Sequence, residues 1–263
     1  MNILSRNNVK VLGNGSQTIL FAHGFGGDQN AWRYLIDAFD DYSVVLFDFV
    51  GCGNSDFSAY SADKYKTLRG YAQDVLDVCE ALNLKDAIFV GHSIASMIGL
   101  LAAVDQPSYF KKLVFLGPSP CYLNDSDYAG GINRHELDAL FEVMDSNYQG
   151  WARSMAPAVM GNADRPELGE GFAKDWTDCD PEIARNFVRA TFLSDNRRYL
   201  PELKVPSLSI ICEEDVLASA DAIQYIKDHT PANSVVRLNA NGHCPHLSAP
   251  QEVIKAIKNF IAN

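Results

Sequence analysis

The chain of 263 residues contains no C-x-x-C pair; its cysteines, Cys52, Cys79, Cys121, Cys179, Cys212 and Cys244, stand singly. That removes the spacing that marks a zinc or dithiol motif, and free thiols in a reducing compartment are expected. Long apolar runs are also missing. None approaches the roughly 20 residues needed to cross a bilayer, and the opening MNILSRNNVKVLGNG lacks the apolar stretch of a secretion signal. These features point to a cytoplasmic protein. Positive charge is scarce, with 22 Lys and Arg against 33 Asp and Glu and a formal net charge of −11. This balance argues against general binding to nucleic acid or to an anionic membrane. A dinucleotide fingerprint is incomplete: Gly51 and Gly53 follow an apolar run, but Asp56 stands where the last glycine of G-x-G-x-x-G belongs. No nucleotide cofactor is expected.

What is present centres on residues 87–104, AIFVGHSIASMIGLLAAV. A short run rich in β-branched and aromatic residues breaks at Gly91, and helix formers with small side chains follow Ser93. A strand, a tight turn and a helix with one serine at the apex form the pattern of a nucleophile elbow. There the hydroxyl is held clear of the chain beside the positive end of a helix. Ala95 replaces the last glycine of G-x-S-x-G. A serine that only caps a helix would sit in the same place.

The chain is long enough for one sizeable core, with room for an inserted subdomain. Residues 9–12 and 18–22, separated by GNGSQ, predict a hairpin. The second run leads into His23-Gly24-Phe25-Gly26-Gly27, a loop that either turns flexibly or points main-chain N–H groups into a site. Apolar spacing predicts a helix over 30–39, a strand over 43–47 and an amphipathic helix over 67–84, with Asp74 on its polar face. A further strand follows at 112–116. This alternation is the signature of an open, mostly parallel α/β sheet, in which ligands bind beyond the carboxyl ends of the strands. After Leu116 the alternation stops. Four helical segments, near 134–145, 148–160, 165–176 and 181–193, read as a cap between two parts of the sheet. Strands at 206–212 and 234–238 and a closing helix at 251–262 complete the pattern.

Strand 206–212 runs into Glu213-Glu214-Asp215, and strand 234–238 runs toward Gly242-His243. Serine, acid and histidine at successive strand ends supply a hydroxyl, a base to activate it and a carboxylate to orient the base. Ser93, Asp215 and His243 are the candidate catalytic residues. A solvated acidic loop is the other reading of 213–215, and His246 is the alternative base. His243, Cys244 and His246 lack a further ligand at convincing spacing, so no metal is expected.

The stretches HGFGGDQNAW, GYAQDVLDVCEAL, FVGHSIASMIGLLA, GPSPCYLNDSDY, SNYQGW, FLSDNR and GHCPHLSAP together resemble the RsbQ-type α/β-hydrolases of bacteria, which are similar to plant strigolactone and karrikin receptors. The resemblance covers essentially the whole chain. It implies an α/β-hydrolase core over 1–117 and 198–263 with a four-helix cap over 118–197. It also implies a triad at Ser93, Asp215 and His243, and oxyanion donors at the main chain of Phe25 and Ile94. The pocket it implies falls on Phe25, His92, Tyr122, Ile132, Trp151, Met155 and Phe192. Ile132 and Met155 stand where the plant members tend to carry phenylalanine. Two functions are expected on this basis: hydrolysis of a small apolar ester or butenolide-like lactone, or ligand-dependent regulation of a stress-response phosphatase.

Overall fold

The computed structural model describes residues 2–262. Seven strands form one sheet: β1 (Lys10–Leu12), β2 (Thr18–Ala22), β3 (Ser43–Leu46), β4 (Ala87–His92), β5 (Phe110–Leu116), β6 (Ser207–Ile211) and β7 (Asn233–Arg237). Their order is β1-β3-β2-β4-β5-β6-β7, with every pairing parallel except β1 with β3. The helices, in chain order, are α1 (Ile3–Arg6), α2 (Ala62–Tyr65), α3 (Leu68–Ala81), α4 (Ile94–Asp105), α5 (Arg134–Ser146), α6 (Tyr148–Met160), α7 (Pro166–Thr177), α8 (Pro181–Phe192), α9 (Ala220–His229), α10 (Pro245–Ser248) and α11 (Pro250–Ala262).

Both faces of the central strands are buried, because successive side chains alternate between two cores. Leu20, Ala22 and Phe89 join the core that contains α3 and α4, whereas Ile19, Phe21, Ile88 and Val90 join Trp32, Leu35, Phe39, Val253 and Ile257 on the other side. α4 is apolar nearly all round because it is buried on all sides, with Ile94 to Ala103 shielded from solvent. A third core is built by the four helices between β5 and β6, from Leu137, Phe141, Met144, Trp151, Phe172, Trp176 and Val188.

Three expectations are corrected. The first two strands do not form a hairpin: β3 lies between them, and β1 pairs antiparallel with it at the edge of the sheet. The exposed side chains of β1 give it no claim on a central place, which goes to the buried β3. Residues 30–39 are not one helix. They form two 3-10 turns, Gln29–Trp32 and Ile36–Phe39, with Asp28 capping the first, and the apolar residues Trp32, Leu35 and Phe39 still reach the core. Asp74 is not solvated. It is fully buried, 2.7 Å from Lys64 Nζ and 3.1 Å from Arg6 Nη2, and it accepts a bond from the Tyr65 hydroxyl at 3.0 Å. This pairing ties the amino-terminal turn to α3, and such buried carboxylates are tolerated only when paired in this way.

Candidate active site

The carboxyl ends of β2, β4, β5 and β6 and the loop after β7 meet beneath the four-helix block. Ser93 sits between β4 and α4 with φ 55° and ψ −125°, a conformation that a non-glycine residue adopts only under constraint. The constraint is visible: the Ser93 N–H donates to the Leu116 carbonyl at 2.7 Å, and the Ser96 hydroxyl donates to the Gly91 carbonyl at 2.9 Å. The reading of Ser93 as a plain helix cap fails on its own terms, because its side chain makes no capping bond to α4.

The Ser93 hydroxyl instead lies 2.7 Å from His243 Nε2. On the far side of the ring, His243 Nδ1 lies 2.9 and 2.8 Å from the two carboxyl oxygens of Asp215. The imidazole Nδ1–H therefore donates to the carboxylate, which leaves Nε2 free to accept from Ser93. Asp215 Oδ1 also accepts from the N–H groups of Leu217 and Ala218, at 2.8 and 3.2 Å. Burial pushes the Asp215 carboxyl up, and the pull of His243, with these hydrogen bonds, more than reverses it, so its pKa lies below the ordinary value. Glu213 and Glu214 are exposed.

His246 is fully buried and packs on Trp32 and His92, with ring centroids 5.0 and 4.3 Å away. Among the described residues, no group of three or more His, Cys, Asp or Glu could hold a metal ion.

The glycine-rich loop after β2 is a tight turn in which the Gly27 N–H donates to the Gly24 carbonyl at 3.3 Å. Phe25 and Gly26 are its central residues. Gly26 has φ +73°, as the third position of a type II turn requires, and a Cβ there would fall 2.2 Å from Trp176 Cδ1. His23 anchors the turn: its Nε2 accepts from the Phe49 N–H at 3.2 Å, so the proton is on Nδ1, which donates to the Gly24 carbonyl at 2.8 Å. His23 was not singled out from sequence beyond its place in the loop. Ile94 is the first residue of α4, where main-chain N–H groups have no partner within the helix.

Above Ser93 lies a narrow, partly open cavity of about 40 Å³. Of the expected pocket residues, Phe25, His92, Tyr122, Trp151, Met155 and Phe192 line it. Ile132 does not. Its main chain is bonded into the loop that follows β5, with its N–H on the Tyr122 carbonyl at 3.1 Å, and its side chain packs against two of the apolar cores. Burial holds the Tyr122 phenol above the ordinary tyrosine range, offset in part by a hydrogen bond with Ser93.

Leu140, Val159, Phe172, Trp176, Val188, Thr191 and Leu217 complete the walls with His243. Sequence reasoning did not assign these seven to a pocket. Apolar spacing shows which helix face is buried, not which part of that face borders a void.

Over residues 17–192 the chain matches the family described as alpha/beta hydrolase fold. It is 38% identical to the karrikin insensitive 2 receptor CA of Petunia hybrida, over 97% of this chain and 95% of the relative. It is 36% identical to the strigolactone esterase D14 of Arabidopsis thaliana, over 99% and 98% of the two chains. Among solved structures, the hydrolase olei00960 of Oleispira antarctica superposes with a TM-score of 0.97 at 36% identity, covering 100% of this chain and 97% of that one.

Proposed function

Because the chain belongs to the α/β-hydrolase family, we propose that it is a serine hydrolase that cleaves a small, largely apolar ester or butenolide-like lactone through an acyl-enzyme intermediate. The single observation that carries this reading is the continuous chain of hydrogen bonds from Ser93 through His243 to Asp215 at the floor of an apolar cavity.

In the mechanism, His243 Nε2 takes the Ser93 proton as Oγ attacks the ester carbonyl carbon. The oxyanion forms against the main-chain N–H groups of Phe25 and Ile94. Collapse of the tetrahedral intermediate expels the alcohol, which receives the proton from His243. Water then enters, gives its proton to His243 and attacks the acyl carbon, and the acid leaves as Ser93 Oγ takes the proton back. Asp215, held ionised by its partners, keeps His243 in the tautomer this exchange needs and stabilises the imidazolium.

The test is hydrolysis of short acyl esters and of a butenolide by the purified protein and by Ser93→Ala. Turnover should vanish in the variant while its thermal midpoint stays within a few degrees of the parent. Equal turnover in both proteins would remove the mechanism.

A second reading is favoured by the similarity to a plant receptor over nearly the whole chain. In it, ligand capture beneath the four helices is the output, and a regulatory phosphatase is the partner that reads it. Comparison of a Ser93→Ala strain with a full deletion separates the two, since a pure sensor still signals with alanine.

A further inference from the structure

The Tyr122 side chain has no part in the proposed triad or in the oxyanion turn, yet it makes a hydrogen bond with Ser93. It is 3% exposed and lines the cavity. Because the Ser93 hydroxyl already directs its proton to His243 Nε2, its oxygen is left to accept, and the phenol O–H is the donor. Burial keeps that phenol protonated at neutral pH.

The loop that carries Tyr122 is fixed along its length. The Tyr122 carbonyl accepts from the Ile132 N–H at 3.1 Å, the Cys121 carbonyl accepts from the Ser119 and Tyr128 hydroxyls at 3.0 and 2.8 Å, and the Tyr122 ring packs on Phe192 with centroids 4.7 Å apart. A donor held in this way needs no reorganisation during a reaction. Its side of Ser93 is also set: in the sheet β4 lies between β2 and β5, so the turn at Phe25 and the loop after β5 approach Ser93 from opposite flanks. That loop begins against the proposed base, since a Cβ on Gly117 would lie 3.1 Å from His243 Cε1 and 3.4 Å from Asp215 Oδ2. The phenol therefore stands with His243, away from the oxyanion donors.

We propose that Tyr122 is a further catalytic residue, whose O–H donates to the alcohol oxygen of the ester as that oxygen leaves. This role rests on the hydrolase reading of Ser93. When Oγ attacks, it becomes a weaker acceptor, while the leaving oxygen is bonded to the same carbon and faces His243, from which it takes its proton. As the C–O bond breaks, its electron pair goes to the leaving oxygen, His243 Nε2–H supplies the proton, and Tyr122 keeps its own. A hydrogen bond to an oxygen that gains charge is stronger than one to a neutral hydroxyl, so the phenol stabilises the transition state more than the resting site. The gain is greatest for an alcohol that leaves poorly, which points to an alkyl ester or a saturated lactone as the substrate class.

The experiment compares ethyl, trifluoroethyl and vinyl butyrate, which share one acyl group and differ little in size, in the parent protein and in Tyr122→Phe, with acid release followed by pH-stat. The readout is kcat/KM, because it ends at acylation and the deacylation step is common to the three esters. In Tyr122→Phe the ethyl ester should lose about 10- to 100-fold more in kcat/KM than the vinyl ester, with the trifluoroethyl ester between them. Loss of the resting bond to Ser93, or altered packing, slows all three alike and cancels in that ratio. Tyr122→Leu, which also removes the ring, should keep the same order among the esters whatever its overall loss. Equal losses across the three esters in Tyr122→Phe, or a greater loss with the vinyl ester, would overturn the proposal and leave Tyr122 a packing residue. If the parent protein hydrolyses none of them, the hydrolase reading fails and the role of Tyr122 falls with it.

Discussion

His92 Nε2 donates to the main-chain oxygen of His243 across 2.9 Å, so the residue that precedes Ser93 in the chain also holds the loop of the proposed base. A Cβ on Gly24 would fall 2.7 Å from His92 Nδ1, which places the same ring against the glycine-rich turn. One side chain thus borders the proposed nucleophile, base and oxyanion loop. His92→Gln keeps a donor of similar reach and should retain most activity. His92→Met removes it and should lower kcat about 10- to 100-fold, with KM moved much less. Equal losses in the two variants would reduce His92 to a packing residue.

Asp215→Asn preserves shape and removes the charge that orients His243. Its kcat on a short ester should fall on the order of 10⁴-fold, while the alanine variants of the exposed Glu213 and Glu214 stay near the parent rate. A large loss at either glutamate, with little at Asp215, would move the acid to another position.

Gly242 has φ +84°, and a Cβ there would lie 1.9 Å from the Met160 carbonyl oxygen at the end of α6. Next to it, the His243 N–H donates to the Val159 carbonyl at 3.0 Å, so the same contact seats the proposed base under the helical block. Gly242→Ala should cost about 1–3 kcal/mol or more and lower activity with stability. Gly171, within α7, has no neighbour near the position of an added Cβ. Gly171→Ala should therefore raise stability by about 0.4–1 kcal/mol, read as a higher denaturation midpoint.

Burial, with His243 nearby, holds the pKa of His92 down to about 3, and burial beside His92 and His243 holds that of His246 well below 6.5. In the unfolded chain both titrate near 6.5. Between that value and the depressed folded one, the unfolded state binds more protons, so stability falls as pH falls. Their contribution is complete above about pH 6.5 and is lost as pH falls below it, for His92 progressively toward pH 3. The thermal midpoint should drop on acidification below about pH 6.5, and His246→Gln should flatten that slope whatever its effect at pH 8. An unchanged slope would assign the acid sensitivity to other groups, among them the Asp215 carboxylate, which acts only at lower pH.

Local chemistry was legible in the sequence where it depends on neighbours along the chain. β4, the turn at Ser93 and α4 follow from a β-rich run, a glycine and a run of small helix formers, because backbone preference and side-chain period are local properties. The alternation of strands and helices, and the helical block between β5 and β6, were readable for the same reason. Tertiary structure decided what depends on distant segments meeting. It placed β3 between β1 and β2, broke residues 30–39 into two turns and buried Asp74 against Arg6 and Lys64. It also chose Asp215 over two adjacent glutamates, since only a fixed loop determines which carboxylate reaches His243. The same holds for the cavity: Ile132 packs into the cores, while Thr191 and Trp176 join its walls. Periodicity reports which face of a helix is buried, but whether that face meets another side chain or a void is settled only when the helices pack.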